Sequence, residues 1–471
     1  MKKRILSFVC VVACLFAAGC MRQPEEGPGG LNLDDFKQIA LNGFDPVDQA
    51  EDHNDYPWSM EYYEADGKVG DGYIYVGTWN RVQQWKGFQE HLPVYPEIRR
   101  YRPDQGPTAW ETVLDIRDYN MPDDERTHGF RFLKSYRNQS DGKLYLYASG
   151  RGPRSDLWRS ETGEPGTWEL FYTYPREGSF RGLTVHNGLL YMAYLNDYAL
   201  LGSDGGPEAV ILATDGSLAN TQVINDTGFG NPNNTGIFTL GSFNGWLYAG
   251  THNQREGCEV WKLEGPNRTA SPVKIFTKGG PRSLNEAAMT MYVYKDNLYI
   301  GTISNFIWRM IGGLKPADLI RVHADDSWEA ITGKNSPGGE ASGFGERGNA
   351  YMWSLEEHDG WLYCGTYDIV TGMTFMFTHF DYLASMMGLG KSEPGAKRFS
   401  TVFDLLTMQS SSGGDLYKSQ DGENWYCVMA DGFGDHNNYG LRCMRSAKGQ
   451  LFIGLSNPYD GLEVWAGGIA D

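Results

Sequence analysis

The chain has 471 residues and a formal net charge of −18 at neutral pH. A protein this acidic repels polyanions, so its composition argues against nucleic acid as a partner. Sixty glycines and an aromatic content of 14% are typical of many short strands joined by tight turns.

The first twenty residues have the pattern of an export signal. A basic start precedes an apolar stretch over 5–16, which is shorter than the roughly 20 residues that cross a bilayer. Residues 17–20, Ala-Ala-Gly-Cys, resemble the bacterial lipobox, although Ala17 stands where leucine is commoner. The resemblance implies cleavage before Cys20 and lipid attachment to it. We therefore expect a signal peptide over 1–19 and an exported protein at the outer membrane or cell surface, held to the membrane only by its lipid.

The region after the signal divides into a tether and one domain. Residues 20–35 are rich in proline, glycine and acids, and are expected to form a lipidated tether. The domain then covers 36–471. Its first segment, 36–44, matches the pattern of 425–433, and the chain ends just after a predicted third strand. The N-terminal segment should therefore supply the outer strand of the last repeat and leave no exposed edge.

One phrase recurs seven times in this domain: a turn followed by an alternating apolar strand, often ending in Gly-Thr. Several of the turns contain Asp-Gly or Asn-Gly, as at 71–72 and 244–245, which supply the positive-φ residues of a type I′ hairpin. The recurring strands are centred on Tyr75, Tyr145, Tyr191, Tyr248, Tyr299, Tyr363 and Phe452.

Further strands are predicted to follow each of these. Third strands are expected at 156–159, 259–262, 306–309, 415–418 and 463–465, and fourth strands near Trp110, Trp168, Trp328 and Trp425. Residues 419–425 resemble a shortened Asp-box, a hairpin turn found in propellers. Gly-Phe-Gly at 228–230, 343–345 and 432–434 stands shortly before Asn234, Asn349 and Asn438. We interpret these as corners between repeats, in which the asparagine bonds the local backbone.

The repeat as a whole resembles the Asp-box and Kelch-like bacterial propellers over roughly 36–470. The resemblance implies an all-β, seven-bladed β-propeller closed by the N-terminal outer strand. It implies no particular chemistry, because propellers host many unrelated functions. An insertion at about 369–411 in blade six has apolar residues at helical spacing. It is expected to form two short helices, either over the channel or against the rim.

A candidate ring of residues lies near the start of the innermost strands. It lies ten positions before the recurring aromatic residue in the last five repeats, and further before it in the first two, where longer turns are allowed for. Three arginines and two tryptophans are unusual in a buried layer. Arginine suits a carboxylate or sulfate and tryptophan a sugar or other flat ligand. The alternative is packing between blades, with the arginines bonding carbonyls. The candidate ligand-binding residues are Trp58, Arg131, Arg181, Trp353 and Arg442, and the two remaining ring positions are Phe238 and Met289.

The sequence offers no assignable catalytic set and no cofactor motif. Residues 435–438, Asp-His-Asn-Asn, would permit calcium without requiring it. The cysteines of the domain each fall in a strand pattern and are interpreted as buried thiols, although an oxidising compartment permits a disulfide. These are Cys258, Cys364, Cys427 and Cys443.

These observations favour a lipid-anchored, monomeric envelope protein that binds a protein or carbohydrate partner, or acts as a scaffold, through its channel-mouth face. The alternative is an enzyme acting on glycans or other anionic small ligands at that mouth. A carboxylate pair spaced as in glycosidases would favour the enzyme. A broad apolar patch on the rim would favour a protein partner.

Overall fold

The computed structural model describes residues 22–25, 27–40, 42–44, 54–68, 70–80, 95–103, 110–196, 208–266, 271–304, 314–371 and 413–469. The signal peptide, Cys20 and the insertion beyond residue 371 lie outside these ranges. The described chain is all-β, with 28 strands and only short helical turns. Within the described ranges, no helix has the length and apolarity to cross a membrane.

The strands form seven units of four antiparallel strands each. The first strands are β2 (Tyr56–Tyr63), β6 (Gly129–Arg137), β10 (Ser179–His186), β14 (Gly236–Phe243), β18 (Asn285–Tyr294), β22 (Asn349–His358) and β26 (Gly440–Ala447). The second strands are β3 (Tyr73–Trp79), β7 (Leu144–Arg151), β11 (Leu189–Leu195), β15 (Trp246–His252), β19 (Asn297–Ser304), β23 (Trp361–Asp368) and β27 (Gln450–Ser456). The third strands are β4 (Glu97–Tyr101), β8 (Ser155–Ser160), β12 (Ile211–Thr214), β16 (Val260–Leu263), β20 (Leu319–Val322), β24 (Leu416–Ser419) and β28 (Glu463–Gly467). The fourth strands are β5 (Trp110–Asp115), β9 (Glu169–Tyr174), β13 (Gln222–Val223), β17 (Val273–Phe276), β21 (Trp328–Ala330), β25 (Tyr426–Met429) and, in unit seven, β1 (Phe36–Ala40).

Unit seven joins the two ends of the domain in one sheet. Its fourth strand is the N-terminal β1, which runs antiparallel to β28 with Phe36 opposite Gly467 and Ala40 opposite Val464. Phe36 is buried in the same apolar cluster as the neighbouring strands β26 and β27. The edge of β28 is therefore covered by a segment more than four hundred positions away in the chain.

Each first strand packs against the first strand of the next unit, and β26 of unit seven packs against β2 of unit one. Glycines in the second strands permit this close approach. A Cβ at Gly301 would lie 2.4 Å from the Met352 carbonyl oxygen of the next unit, and one at Gly454 would lie 3.0 Å from Pro57. The Gly-Thr ending of the repeat thus has a packing cause, because any larger residue would push adjacent units apart.

The asparagines at the predicted corners bond the local backbone, which confirms that part of the interpretation. Asn349 Nδ2 donates to the Gly343 carbonyl at 3.0 Å and to the Asp415 carboxylate at 2.7 Å, and its carbonyl accepts from Thr366 Oγ1. Asn234 makes the same bonds to Gly228 and to Glu259. The asparagine, the threonine of the second strand and the acid beginning the third strand therefore form a recurring buried polar network.

Two local predictions need correction. Asn244 and Gly245 both have positive φ, as a type I′ turn requires, but neither Asp71 nor Gly72 does, because the loop there is longer than two residues. The third strand predicted at 306–309 lies outside the described residues, and the strand paired with β19 is β20, which follows Asp318. Asp318 accepts from the corner residue Asn285, so the position of this acid fixes where the third strand begins.

Candidate functional site

A cavity of about 240 Å³ lies among the first strands of all seven units, each of which contributes lining residues. One end carries the ring of residues predicted from the sequence. The other end carries a cluster of charged side chains that the sequence did not reveal.

The ring positions share one backbone feature, a β-bulge. In each first strand the pairing register shifts by one residue at the ring position, for example between Pro57 and Ser59 around Trp58. A bulge adds an unpaired residue and redirects its side chain. The seven bulged residues are Trp58, Arg131, Arg181, Phe238, Met289, Trp353 and Arg442.

The structure brings four of the five candidate residues to the cavity wall. Trp58, Arg181, Trp353 and Arg442 line it, whereas Arg131 does not, although the three residues that follow Arg131 do. Four of the five are buried, and Arg442 alone is half-buried.

Two of the arginines bridge adjacent units, as the packing alternative proposes. Arg131 Nη1 donates to Ser179 Oγ of the next unit at 2.8 Å, and its guanidinium lies 4.9 Å from the ring centre of Trp58 in the preceding unit. Arg181 Nη1 donates to the Phe238 carbonyl at 2.7 Å, and its guanidinium lies 4.2 Å from the Phe238 ring. These contacts give both side chains a structural role.

Arg442 differs from the other two arginines. It makes no hydrogen bond or ion pair with any residue that the structure describes, and its Nε is buried without an acceptor. Its guanidinium lies 5.4 Å from the ring centre of Trp353, whose indole Nε1 is also buried without an acceptor. A cation and a neighbouring N–H donor thus line the same cavity, and buried donors without acceptors are rare in folded proteins.

Aromatic side chains surround this end of the cavity. Trp58 stacks on Trp79 with ring centres 4.3 Å apart, and Tyr56 and Tyr439 lie near Trp353. Ile369 and Val370, the first residues of the predicted insertion, are buried in the same cluster. Asp368 Oδ1 accepts from the N–H groups of Val370 and Thr371, so 369–371, the described start of the predicted insertion, are held beside the ring.

Two histidines near this end have lowered pKa values, chiefly because they are buried. Burial and, to a smaller extent, the Arg181 guanidinium together lower the pKa of His252 to about 4. Burial likewise lowers the pKa of His128 to about 4, with Arg151 and Arg126 adding to the effect. Both imidazoles are therefore neutral at pH 7 and add no charge to this end of the domain.

The opposite end of the cavity holds a charge cluster made of Glu61, Lys134, Tyr292, Glu356 and Arg445. Arg445 Nη2 donates to Glu61, and Arg445 Nη1 lies 3.6 Å from Glu356. Lys134 Nζ lies 3.9 Å from Glu61. Burial raises the pKa of Glu356 above its ordinary range and that of Tyr292 to about 12.

The bulge explains why sequence reasoning missed this cluster. Counting in steps of two from the ring leads to residues such as Met60 and Leu133, which pack into the apolar clusters between units. A bulge shifts the alternation by one residue, so positions three after the ring carry the charged groups instead. To find these charged residues from the sequence, a residue pattern that marks the bulge in all seven first strands would have been needed.

The metal and thiol predictions concern other groups, of which Cys443 also lines the cavity. In the described ranges, no group of three or more histidine, cysteine or acidic side chains is arranged to hold a metal ion. Asp435, in the segment considered for calcium, accepts from the Asn437 N–H and from Asn457 Nδ2. The four cysteines of the domain are free and buried, and burial raises the pKa of Cys443 to about 12.

Comparison with known protein families finds no matching family model, and no curated protein matches the chain. Function is therefore inferred from the geometry of the cavity.

Proposed function

We propose that the chain is an exported, lipid-anchored binding protein whose domain is a seven-bladed β-propeller, closed by the N-terminal outer strand, with a small anionic ligand bound at the ring end of its channel. The propeller is supported by seven four-stranded units whose first strands pack in sequence, with the last against the first. The pairing of β1 with β28 supports the closure. The lipid anchor is supported by the lipobox-like residues that end at Cys20.

The ligand proposal depends on one observation: Arg442 lines the cavity without a hydrogen-bond acceptor among the described residues. A guanidinium that faces a cavity with no carboxylate or carbonyl to bond is costly, unless a ligand supplies the acceptor. Trp353 offers both an indole N–H and an aromatic face beside it. A carboxylate or sulfate on a flat or sugar-like body satisfies both groups.

The alternative, an enzyme acting on glycans, needs an acid and a base that are free to exchange protons with a substrate. The two carboxylates of the charge cluster, Glu61 and Glu356, both lie against Arg445. This favours a binding role over catalysis, because the guanidinium occupies carboxylate oxygens that an acid or base would present to a substrate.

A flat protein-binding surface has less support than the cavity. Leu170, Val223 and Val273 are exposed, but they lie on the fourth strands of three different units. Scattered apolar residues of this kind are normal on a soluble surface. The small-ligand proposal therefore takes precedence.

The test measures binding of glucuronate and of sulfate to the mature chain by titration calorimetry, with glucose as the uncharged counterpart. Glucuronate should bind, glucose should bind more weakly, and Arg442→Gln should weaken glucuronate binding at least tenfold, or about 1.4 kcal/mol. Because Arg442 makes no hydrogen bond to the part of the chain that the structure describes, Arg442→Gln should melt like the unmodified chain.

The matched control is Arg137→Gln, which removes an exposed arginine that pairs with Asp66. It should leave glucuronate binding unchanged. Equal binding by the unmodified chain and Arg442→Gln would reject Arg442 as the anion site. The absence of binding by either anion would reject the proposed ligand class.

A further inference from the structure

Residues 22–25 and 27–32, part of the segment expected from composition to be a tether, are held against unit six. Arg22 Nη1 lies 2.7 Å from the Glu340 carboxylate, and Arg22 Nη2 donates to the Trp425 carbonyl. The Glu25 N–H donates to the Cys427 carbonyl at 2.8 Å. The segment therefore lies along the open edge of β25, the fourth strand of the unit.

The next part of the segment, residues 30–32, contacts buried side chains of unit six. The Leu31 N–H donates to Tyr363 Oη at 2.7 Å, and Lys418 Nζ donates to the Leu31 carbonyl and to Asn32 Oδ1. Lys418 is fully buried, and burial lowers its pKa. Gly30 adopts φ +69° directly against the Trp361 ring, where a Cβ would lie 2.9 Å from the indole. A buried ammonium satisfied by this segment is a specific attachment and not a chance contact.

These contacts gather at one end of the unit. Tyr363 lies near the start of β23, Lys418 near the end of β24, and Trp425 just before β25. All three adjoin the hairpin turns of the unit, including the turn over 420–424. The bulged ring residues lie near the start of the first strands, which is the opposite end.

We infer that the hairpin-turn side of unit six faces the lipid surface, and that the ring end of the cavity faces away from it. This inference rests on the lipid attachment at Cys20 that the proposed function includes. Only two peptide steps separate Cys20 from Arg22, which span at most about 7 Å. The lipid can therefore enter the bilayer only close to the point where Arg22 is held. The cavity then opens toward the medium, where a soluble ligand has access.

The experiment uses the full chain, purified with its lipid and reconstituted into phosphatidylcholine vesicles that carry a headgroup-attached quencher. Fluorophores are placed at Gln420→Cys, in the turn of unit six, and at Arg255→Cys, in the turn after β15 at the ring end of unit four. Both residues are exposed. The native cysteines of the described domain are buried, so they should not react with the label.

The label at position 420 should be quenched at least threefold more strongly than the label at 255. A flexible twelve-residue Gly-Ser insertion between residues 21 and 22 keeps the lipid and the fold but should bring the two values together. Equal quenching in the original chain, or stronger quenching at 255, would overturn the orientation. A quenching ratio that the insertion leaves unchanged would also overturn it, because attachment through Arg22 would then play no part.

Flotation with the vesicles and the mass of the N-terminal peptide are measured on the same samples, with Cys20→Ala as the unlipidated control. A chain that carries no lipid and fails to float would reject the anchor itself, and the orientation with it. A chain that floats with equal quenching at both labels would reject the orientation alone.

Discussion

Asp415 immediately precedes β24 and is a fully buried acid in the corner network of unit six. Its Oδ2 accepts from Asn349 Nδ2 and from Tyr417 Oη, whereas Oδ1 has no hydrogen-bond partner among the described residues. Burial raises the pKa of Asp415 from its ordinary 3.8 to about 7, against the opposing effect of these two hydrogen bonds. The variant Asp415→Asn can keep both bonds through its amide oxygen, with no charge to bury.

The sign of the pH dependence follows from this shift. The folded state holds the proton of Asp415 more tightly than the unfolded state does. The stability that comes from this tighter proton binding is fully present below about pH 3.8. That contribution is lost progressively as the pH rises to about 7. At about 1.4 kcal/mol for each pKa unit, the loss amounts to roughly 4 kcal/mol. Asp415→Asn should therefore gain stability relative to the unmodified chain across this range.

The assay is urea unfolding of both proteins at intervals between pH 4 and pH 7.5, with the free energy of unfolding compared at each pH. The difference between the proteins isolates Asp415 from the other titrating groups. Asp118→Asn, which replaces an exposed acid, should show a difference that barely changes with pH. A constant difference for Asp415→Asn across the same range would refute the raised pKa and the burial cost inferred from it.

Three further predictions concern packing. Deletion of 21–45 should lower the free energy of unfolding by several kcal/mol, because it uncovers the edge of β28. Deletion of 21–32 should lower the free energy of unfolding by about 1–3 kcal/mol, because it leaves the buried Lys418 ammonium without its acceptors. An unchanged urea midpoint would contradict the contacts described for this segment. Gly301→Ala should destabilise by about 1–3 kcal/mol because its Cβ would meet the next unit, whereas Gly182→Ala, whose Cβ meets only ordinary contacts, should cost less. Equal losses for the two glycine variants in thermal melts would argue against close packing as the reason for the Gly-Thr repeat.

The repeat itself was predictable because strand alternation and turn chemistry are local properties of a sequence. The pairing of 36–40 with the last strand followed from matching one segment to another. The charged cluster around Arg445 was not predictable, since a bulge changes which side chains face the cavity without leaving a mark in residue type. The sequence also could not show that Arg181 has hydrogen-bond acceptors whereas Arg442 has none among the described residues. This difference depends on which acceptors the other units supply.

The pairing of β1 with β28 also determines when folding can finish. β1 is synthesised long before its partner β28, so unit seven stays incomplete until β28 has been made. Contacts between residues so far apart in sequence slow folding, because a very long loop must close first. The domain therefore remains open at the edge of β28 while the intervening units are made. Such a delay suits the export that we propose for this chain.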